Sequence, residues 1–491
     1  MLFNSYIFLF LFLPLCLAGY FILNRTGRPR LARAFLFGMS LWFYGFFNPS
    51  YLLVICSSIA VNYFFYVLSK KLKLTKAGKW LCALAVVLNL GLLFYFKYFD
   101  FFISNVNAIF KTEFLLRNIL LPLGISFFTF QQISFVVDAF RGEVPDYDFL
   151  SYACFVSFFP QLVAGPIVTH DELVPQLMDE KNRRFCFDNF AAGLFIFAIG
   201  LSKKVLIADS LGTVVDYCFA AVGDYRYEQI NSAAAWISGI AFTLQLYFDF
   251  SGYSDMAIGL GRMFNVNIPQ NFNSPYKAVN IVDFWKRWHL TLTRFFTKYV
   301  YIPLGGNRRG TGRTYVNIML VFFLSGLWHG ANYTFIVWGL LHGIGSCLTR
   351  MTRGFWEKLP RFFGWLFTFL YVMFAYVFFR ADSLKDGIYM IGRMLSFRPG
   401  PVHADVLASF SQPELDVLAR GLGALGAGEP KLILLCAFLA LCLFIAATLK
   451  SSSERLESFR CTAGRSICTA VLLAWCIFSF AGVSTFLYFN F

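Results

Sequence analysis

"TYVNIMLVFFLSGLWHGANYTFIVWGLLHGIGSCLT", residues 314–349, decides how this chain is built. Its 36 residues include no Asp, Glu, Lys or Arg. A membrane-spanning helix needs about 20 apolar residues, so the run is nearly twice one crossing. It breaks in its middle at "HGANY", which predicts a helical hairpin. Two histidines, His329 and His342, lie inside it. An imidazole stripped of water needs hydrogen-bond partners, and ionisable residues at such positions are functional candidates.

The rest of the chain follows the same pattern. Of its 491 residues 58% are hydrophobic and 14% charged, against about a quarter charged in soluble domains, so the class is an integral membrane protein. Charge-free runs cover 1–24, 34–69, 80–96, 118–137, 149–169, 189–202, 229–248, 314–349, 362–379, 432–449 and 466–491. The run 34–69 breaks at "FNPSY" and predicts a second hairpin. The run 149–169 contains "FFPQLVAGPI", and such backbone is tolerated at membrane depth only inside protein or against a cavity. It predicts a re-entrant or half-crossing segment. The expected fold is an all-α polytopic membrane bundle of 11–13 segments, about twelve of them full crossings. One transmembrane domain spans 1–491: N-terminal helices to 117, a catalytic core over 118–349, and C-terminal helices over 350–491. The loop 380–431 is expected outside the membrane, with "GLGALGAGEP" as a flexible linker.

Net charge is +15, yet the basic residues cluster in alternate loops, as the positive-inside rule expects. Residues 25–33 hold four Arg, 70–79 five Lys, and 249–313 nine basic against three acidic residues. This pattern argues for a membrane rather than nucleic acid, with the N-terminus outside. Lys203 and Lys204 break it, since the count leaves them at the outer face. No Lys or Arg precedes Arg25, which predicts a retained anchor rather than a cleaved leader. Twelve cysteines without a CxxC pair read as buried thiols.

Residues 249–313 form a polar island. Asparagines and prolines in "NVNIPQNFNSPY" exclude a lipid-facing helix there. From Asp283, "DFWKRWHLTLTRFFTKYV" predicts one amphipathic helix, with Trp285, Trp288 and Leu292 on one face and Asp283–Arg287 as an i, i+4 pair. Its tryptophans suggest an interfacial anchor. The functional alternative is a cytoplasmic collar for an anionic donor, made of Lys286, Arg287, Arg294, Lys298, Arg308 and Arg309, with "PLGGNRRG" exposing backbone amides to phosphate.

Six stretches now stand in order: "ISFFTFQQISFVVDAFRGE" (125–143), "FFPQLVAGPI" (158–167), "YFDFSGYSDMAIGLGRMF" (247–264), "NFNSPY" (271–276), "DFWKRWHLTLTRFFTKYVYIPLGGNR" (283–308) and "LSGLWHGANYTFIVWGLLHG" (324–343). With a "FLFLFLPL" start and a "FLYFNF" finish, the chain resembles the membrane-bound O-acyltransferase (MBOAT) family. The resemblance is to its bacterial branch, which contains the alginate O-acetylation membrane subunit and the teichoic acid D-alanyl transfer protein. It covers nearly everything except 380–431. It implies a helical bundle hollowed by a funnel or tunnel, a cytoplasmic acyl thioester donor, an outside acceptor, and extracytoplasmic partner proteins. The two family histidines fall on His289 and His329, the second being the catalytic one.

The residues agree with that chemistry. If the helix starts at a cytoplasmic Arg313, His329 lies about 24 Å in, past the midplane. His289 is expected at the opposite, cytoplasmic end, so that the two bracket a passage across the bilayer. An imidazole can take the proton of an acceptor hydroxyl attacking a thioester. Trp328, Asn332 and Asn273 are candidate oxyanion or pocket residues. His342 reads as packed inside the bundle, and His170 and His403 as loop residues. The expected activity moves an acetyl group from acetyl-CoA, a substrate rather than a bound cofactor, to a polysaccharide hydroxyl outside a bacterial inner membrane. No metal is required. D-alanyl transfer from a carrier protein, a transporter or flippase, and a scaffold are the alternatives. Intramembrane histidines fit a transporter, but the chain shows no halves of similar hydropathy.

Overall fold

A computed structural model describes residues 1–398, 400–482 and 486–487. Among these, helices and turns make up the whole architecture, with no strand. Most of the "FLYFNF" finish, residues 488–491, lies outside the described residues. Among the described residues, six helical segments are both long and apolar enough to cross a membrane: Phe8–Arg25, Tyr51–Ser69, Lys76–Phe110, Phe187–Gly223, Arg361–Arg380 and Pro430–Thr448. Ser232–Met263, Thr311–His329 and Tyr333–Met351 also reach the length. They are less apolar, as befits helices whose neighbours are largely protein.

Both expected hairpins form. Pro29–Gly45 turns into Tyr51–Ser69, and Thr311–His329 into Tyr333–Met351. The second break is short because Gly330 is fully extended and Asn332 caps the next helix, accepting from Thr334 N at 3.2 Å. Its two helices meet backbone to backbone. A Cβ on Gly326 would stand 2.4 Å from Phe335 O, and one on Gly339 2.4 Å from Phe322 O. Small residues permit that approach, which is how helices associate in lipid. The expected re-entrant stretch is two short buried helices, Phe149–Ser157 and Phe159–Leu162, followed by irregular backbone enclosed in protein.

The central element is the 32-residue helix Ser232–Met263, buried along nearly its whole length. It lies against Phe187–Ser202 through paired glycines, Gly259 with Gly193 and Gly252 with Gly200, where any Cβ would fall 2.5–2.7 Å from a carbonyl oxygen. Residues 249–263 therefore belong to the core, not to a cytoplasmic loop, and only the remainder of the polar island is irregular. The placement of Lys203 and Lys204 at the outer face is also corrected. Both sit in a π-helical turn within the continuous segment Phe187–Gly223. Lys203 pairs with Asp255 at 2.6 Å, and Lys204 with Asp249 at 2.7 Å and Asp209 at 2.8 Å. Buried charges survive only when paired, so these lysines carry no topological signal.

Among the described residues, three helices lie wholly within 380–431: Leu384–Leu395, Ala404–Ser409 and Pro413–Ala424. The last takes in Gly421–Ala424, so part of the expected linker is helical.

Candidate functional site

The stretch from Asp283 is not one amphipathic helix. Ile281–Trp285 ends in a turn, His289 adopts left-handed backbone (φ +46°), and Leu290–Phe296 starts afresh. That conformation is uncommon for a residue with a Cβ. It leaves Trp285 and Trp288 only 9% and 1% exposed, so they are core residues and not an interfacial anchor. The Asp283–Arg287 pair does form, at 2.9 Å.

The break at His289 aims its imidazole at Asn271. Nδ1 lies 3.1 Å from Asn271 Oδ1, which also accepts from the Thr291 hydroxyl at 2.9 Å and from Thr291 N at 3.4 Å. Asn271 Nδ2 donates to Ser254 Oγ at 3.3 Å. Donors converging on one oxygen make Nδ1 the protonated nitrogen and leave the lone pair on Nε2. Phe250 stands edge-on to the ring at 4.7 Å.

His329, the last residue of Thr311–His329, is 2% exposed. Its ring meets Trp328 and Trp338 at 4.9 Å and Phe379 at 5.2 Å. The His289 ring is 6.5 Å away, centre to centre. This corrects the expectation that the two histidines bracket a passage. They share one buried site, close enough to touch one substrate. Trp328 Nε1 and Trp338 Nε1 are buried N–H donors with no acceptor among the described residues.

The other expected residues scatter. The side chain of Asn332 caps its helix through Oδ1 and donates one N–H to Asp382 O at 2.9 Å, and the residue lines a polar cavity beside Gly330. Asn273 is tied to Arg287 through its backbone N–H at 2.9 Å and its carbonyl at 3.3 Å. Half of the collar is neutralised. Arg287 holds Asp283, Arg294 holds Glu172 at 2.8 Å, and Lys298 holds Asp138 at 3.0 Å and Glu143 at 3.1 Å. Lys286, Arg308 and Arg309 remain exposed.

His342 is buried and accepts from Trp285 Nε1 at 3.2 Å, as a packed residue should. His170 is no loop residue: it opens the helix His170–Met178, is 2% exposed, and touches Tyr147 Oη at 3.3 Å. His403 caps the helix Ala404–Ser409.

Three cavities approach the pair. An apolar one of about 900 Å³ reaches Trp328, between Phe130, Phe295 and Tyr333. A polar one of about 260 Å³ is lined by Lys97, Asp100, Gly330 and Asn332. A charged one of about 240 Å³ is lined by Asp171, Glu172, Thr291, Arg294 and Lys298. Its Thr291 hydroxyl touches Asn271, and Asn271 touches His289, so two hydrogen bonds connect this cavity to the site. Sequence reading missed Asn271, Thr291 and Trp338. Asn271 alone had a signal, as an asparagine in a proline-punctuated stretch.

Residues 138–384 match the model of the MBOAT, membrane-bound O-acyltransferase family, and that span includes both histidines. The chain is 44% identical to the peptidoglycan O-acetyltransferase of Helicobacter pylori, over 80% of each chain. It is 41% identical to a "probable alginate O-acetylase" of Pseudomonas putida, over 81% of each. With the teichoic acid D-alanyltransferase of Bacillus subtilis identity is 27%, over 51% of this chain and 63% of the relative. A buried imidazole pair in a polytopic helical bundle, matched along this length to enzymes that move acyl groups, leaves the transporter and scaffold readings behind: the chain belongs to the membrane-bound O-acyltransferase family and is an O-acyltransferase.

Proposed function

We propose that the protein transfers acetyl groups from acetyl-CoA to hydroxyls of a polysaccharide outside the bacterial inner membrane, directly or through a partner protein. The observation that carries the reading is the buried pair His289–His329 at 6.5 Å. His329 takes the proton of the acceptor hydroxyl as its oxygen attacks the thioester carbonyl. The carbon–sulfur bond of the tetrahedral intermediate then breaks, and the departing thiolate takes the proton back from the imidazolium. His289, fixed by Asn271 with its lone pair on Nε2, orients the reacting groups. Trp328 Nε1 is the favoured oxyanion donor, because a buried N–H without an acceptor is preorganised for a charge that forms only during reaction. The aromatic walls exclude water that would otherwise hydrolyse the thioester.

Lys286, Arg308 and Arg309 are the exposed cations for an anionic donor, and the charged cavity beside Thr291, whose Arg294 and Lys298 are already paired, fits its approach to the site. The polar cavity at Gly330 fits the acceptor. Acetyl transfer is favoured over D-alanyl transfer because the acetyltransferase relatives match 80–81% of the chain and the D-alanyltransferase 51%. Purified protein in lipid, given radiolabelled acetyl-CoA and a polysaccharide acceptor, tests the reading. Transfer is expected from the wild type and lost in His329→Ala at unchanged accumulation. A mutant keeping more than about a tenth of wild-type transfer removes His329 as the base.

A further inference from the structure

The helix that presents His329 ends in the middle of the protein, and its last carbonyls have no partner within the helix. Two side chains from a distant segment take them. Phe94–Tyr98 is a π-helical turn inside Lys76–Phe110, and π turns are frequent at functional sites. Its wider winding sets Lys97 and Tyr98 against the end of Thr311–His329. Lys97 Nζ donates to the carbonyl of Trp328 at 2.6 Å, to that of His329 at 3.1 Å, and to Ser126 Oγ at 3.3 Å. The Tyr98 hydroxyl donates to the carbonyl of Leu327 at 2.8 Å. Three consecutive terminal carbonyls are thus held by two adjacent residues, more than 200 positions earlier in the chain.

Lys97 has no carboxylate within 4.0 Å among the described residues. Its charge faces the negative end of the helix dipole instead. A neutral donor would satisfy the same carbonyls with a far smaller desolvation penalty than an ammonium. The Lys97 nitrogen also lies 5.9 Å from the centre of the Trp328 ring.

We propose that Lys97 and Tyr98 are positioning residues for acyl transfer: through the carbonyls of Leu327, Trp328 and His329 they clamp the last turn that carries Trp328 and His329. The inference rests on His329 being the base. It separates the clamp from donor binding, since neither residue lies among the cations of the collar.

Lys97→Met and Tyr98→Phe test it, with kcat and KM for acetyl-CoA measured in lipid. The same variants, labelled with ¹⁵N-histidine, report the five imidazoles directly. Lys97→Met is expected to lower kcat about tenfold or more with KM unchanged within about twofold. Tyr98→Phe, which removes one hydroxyl, is expected to lower kcat about threefold, and it carries the test alone if Lys97→Met fails to accumulate. In both, the His329 resonance is expected to shift while that of His403 stays in place. Unchanged kcat in Tyr98→Phe together with wild-type His329 resonances would overturn the clamp. So would a Lys97→Met protein whose KM rises at constant kcat. If the wild type itself transfers no acetyl group, the reading of His329 as base fails, and the histidine spectra still decide whether the clamp exists.

Discussion

Asn271→Ala isolates the contribution of the residue that holds His289. The substitution removes an oxygen that accepts from His289 Nδ1 at 3.1 Å and from the Thr291 hydroxyl at 2.9 Å, both in a site without exposure to solvent. A buried donor left without a partner costs about 1–3 kcal/mol, so the two together destabilise the fold by about 2–6 kcal/mol. Relaxation of Thr291 toward another acceptor brings the value to the lower end. The kinetic effect concerns His289 only. Without the bond its tautomer and ring angle are no longer fixed, and about 1–3 kcal/mol of lost orientation corresponds to a five- to 150-fold fall in kcat. KM for acetyl-CoA should move less than kcat, because Asn271 meets the charged cavity only through the Thr291 hydroxyl and touches none of the cations. Steady-state transfer in lipid, with thermal unfolding in detergent, measures both quantities on one preparation. Asn271→Asp is the companion: it keeps an acceptor oxygen for His289 and Thr291, so kcat should fall less than in Asn271→Ala, while the buried carboxylate costs stability of its own. Wild-type kcat in Asn271→Ala, with a clearly lowered melting temperature, would refute the reasoning by showing that the bond serves stability alone.

Neutralising Arg308 and Arg309 together should raise KM for acetyl-CoA, and added salt should erase the difference, since exposed charges are screened beyond about 8 Å at physiological ionic strength. Indifference of the kinetics to both would return these residues to lipid anchoring. Lys204→Met should strip the Asp209 and Asp249 carboxylates of their cation at a penalty of about 3–5 kcal/mol, seen as loss of folded protein in fluorescence-detected gel filtration. Gly339→Ala should lower the melting temperature, because its Cβ would stand 2.4 Å from Phe322 O and the two helices bearing the His329 hairpin must part. His342→Gln, which can still accept from Trp285 Nε1, should keep nearly full transfer; a loss as deep as that of His329→Ala would show that His342 takes part in the chemistry.

Much of this protein is legible without coordinates, for reasons local to the chain. Hydrocarbon thickness sets the length of an apolar run, so 314–349 and 34–69 show as hairpins, and glycine, asparagine and proline mark where each turns. His329 stands out because a titratable group within a charge-free run is costly unless used. What only the tertiary structure decided are choices of partner. Whether Lys203 and Lys204 signal a membrane face or a buried ion pair depends on Asp249 and Asp255, which reach them across a helix–helix contact made by glycines. Whether a basic collar is free depends on Glu172, Asp138 and Glu143, all outside the segment that carries it. The distance between His289 and His329 follows from a single residue's left-handed backbone, which breaks the expected helix and turns one imidazole toward the other. Lys97 and Tyr98 meet the end of the His329 helix from more than 200 residues away. Apolar periodicity reports which residues leave water, since burial acts on each side chain separately; it carries no record of which buried polar groups find one another, because a hydrogen bond is settled by two positions at once.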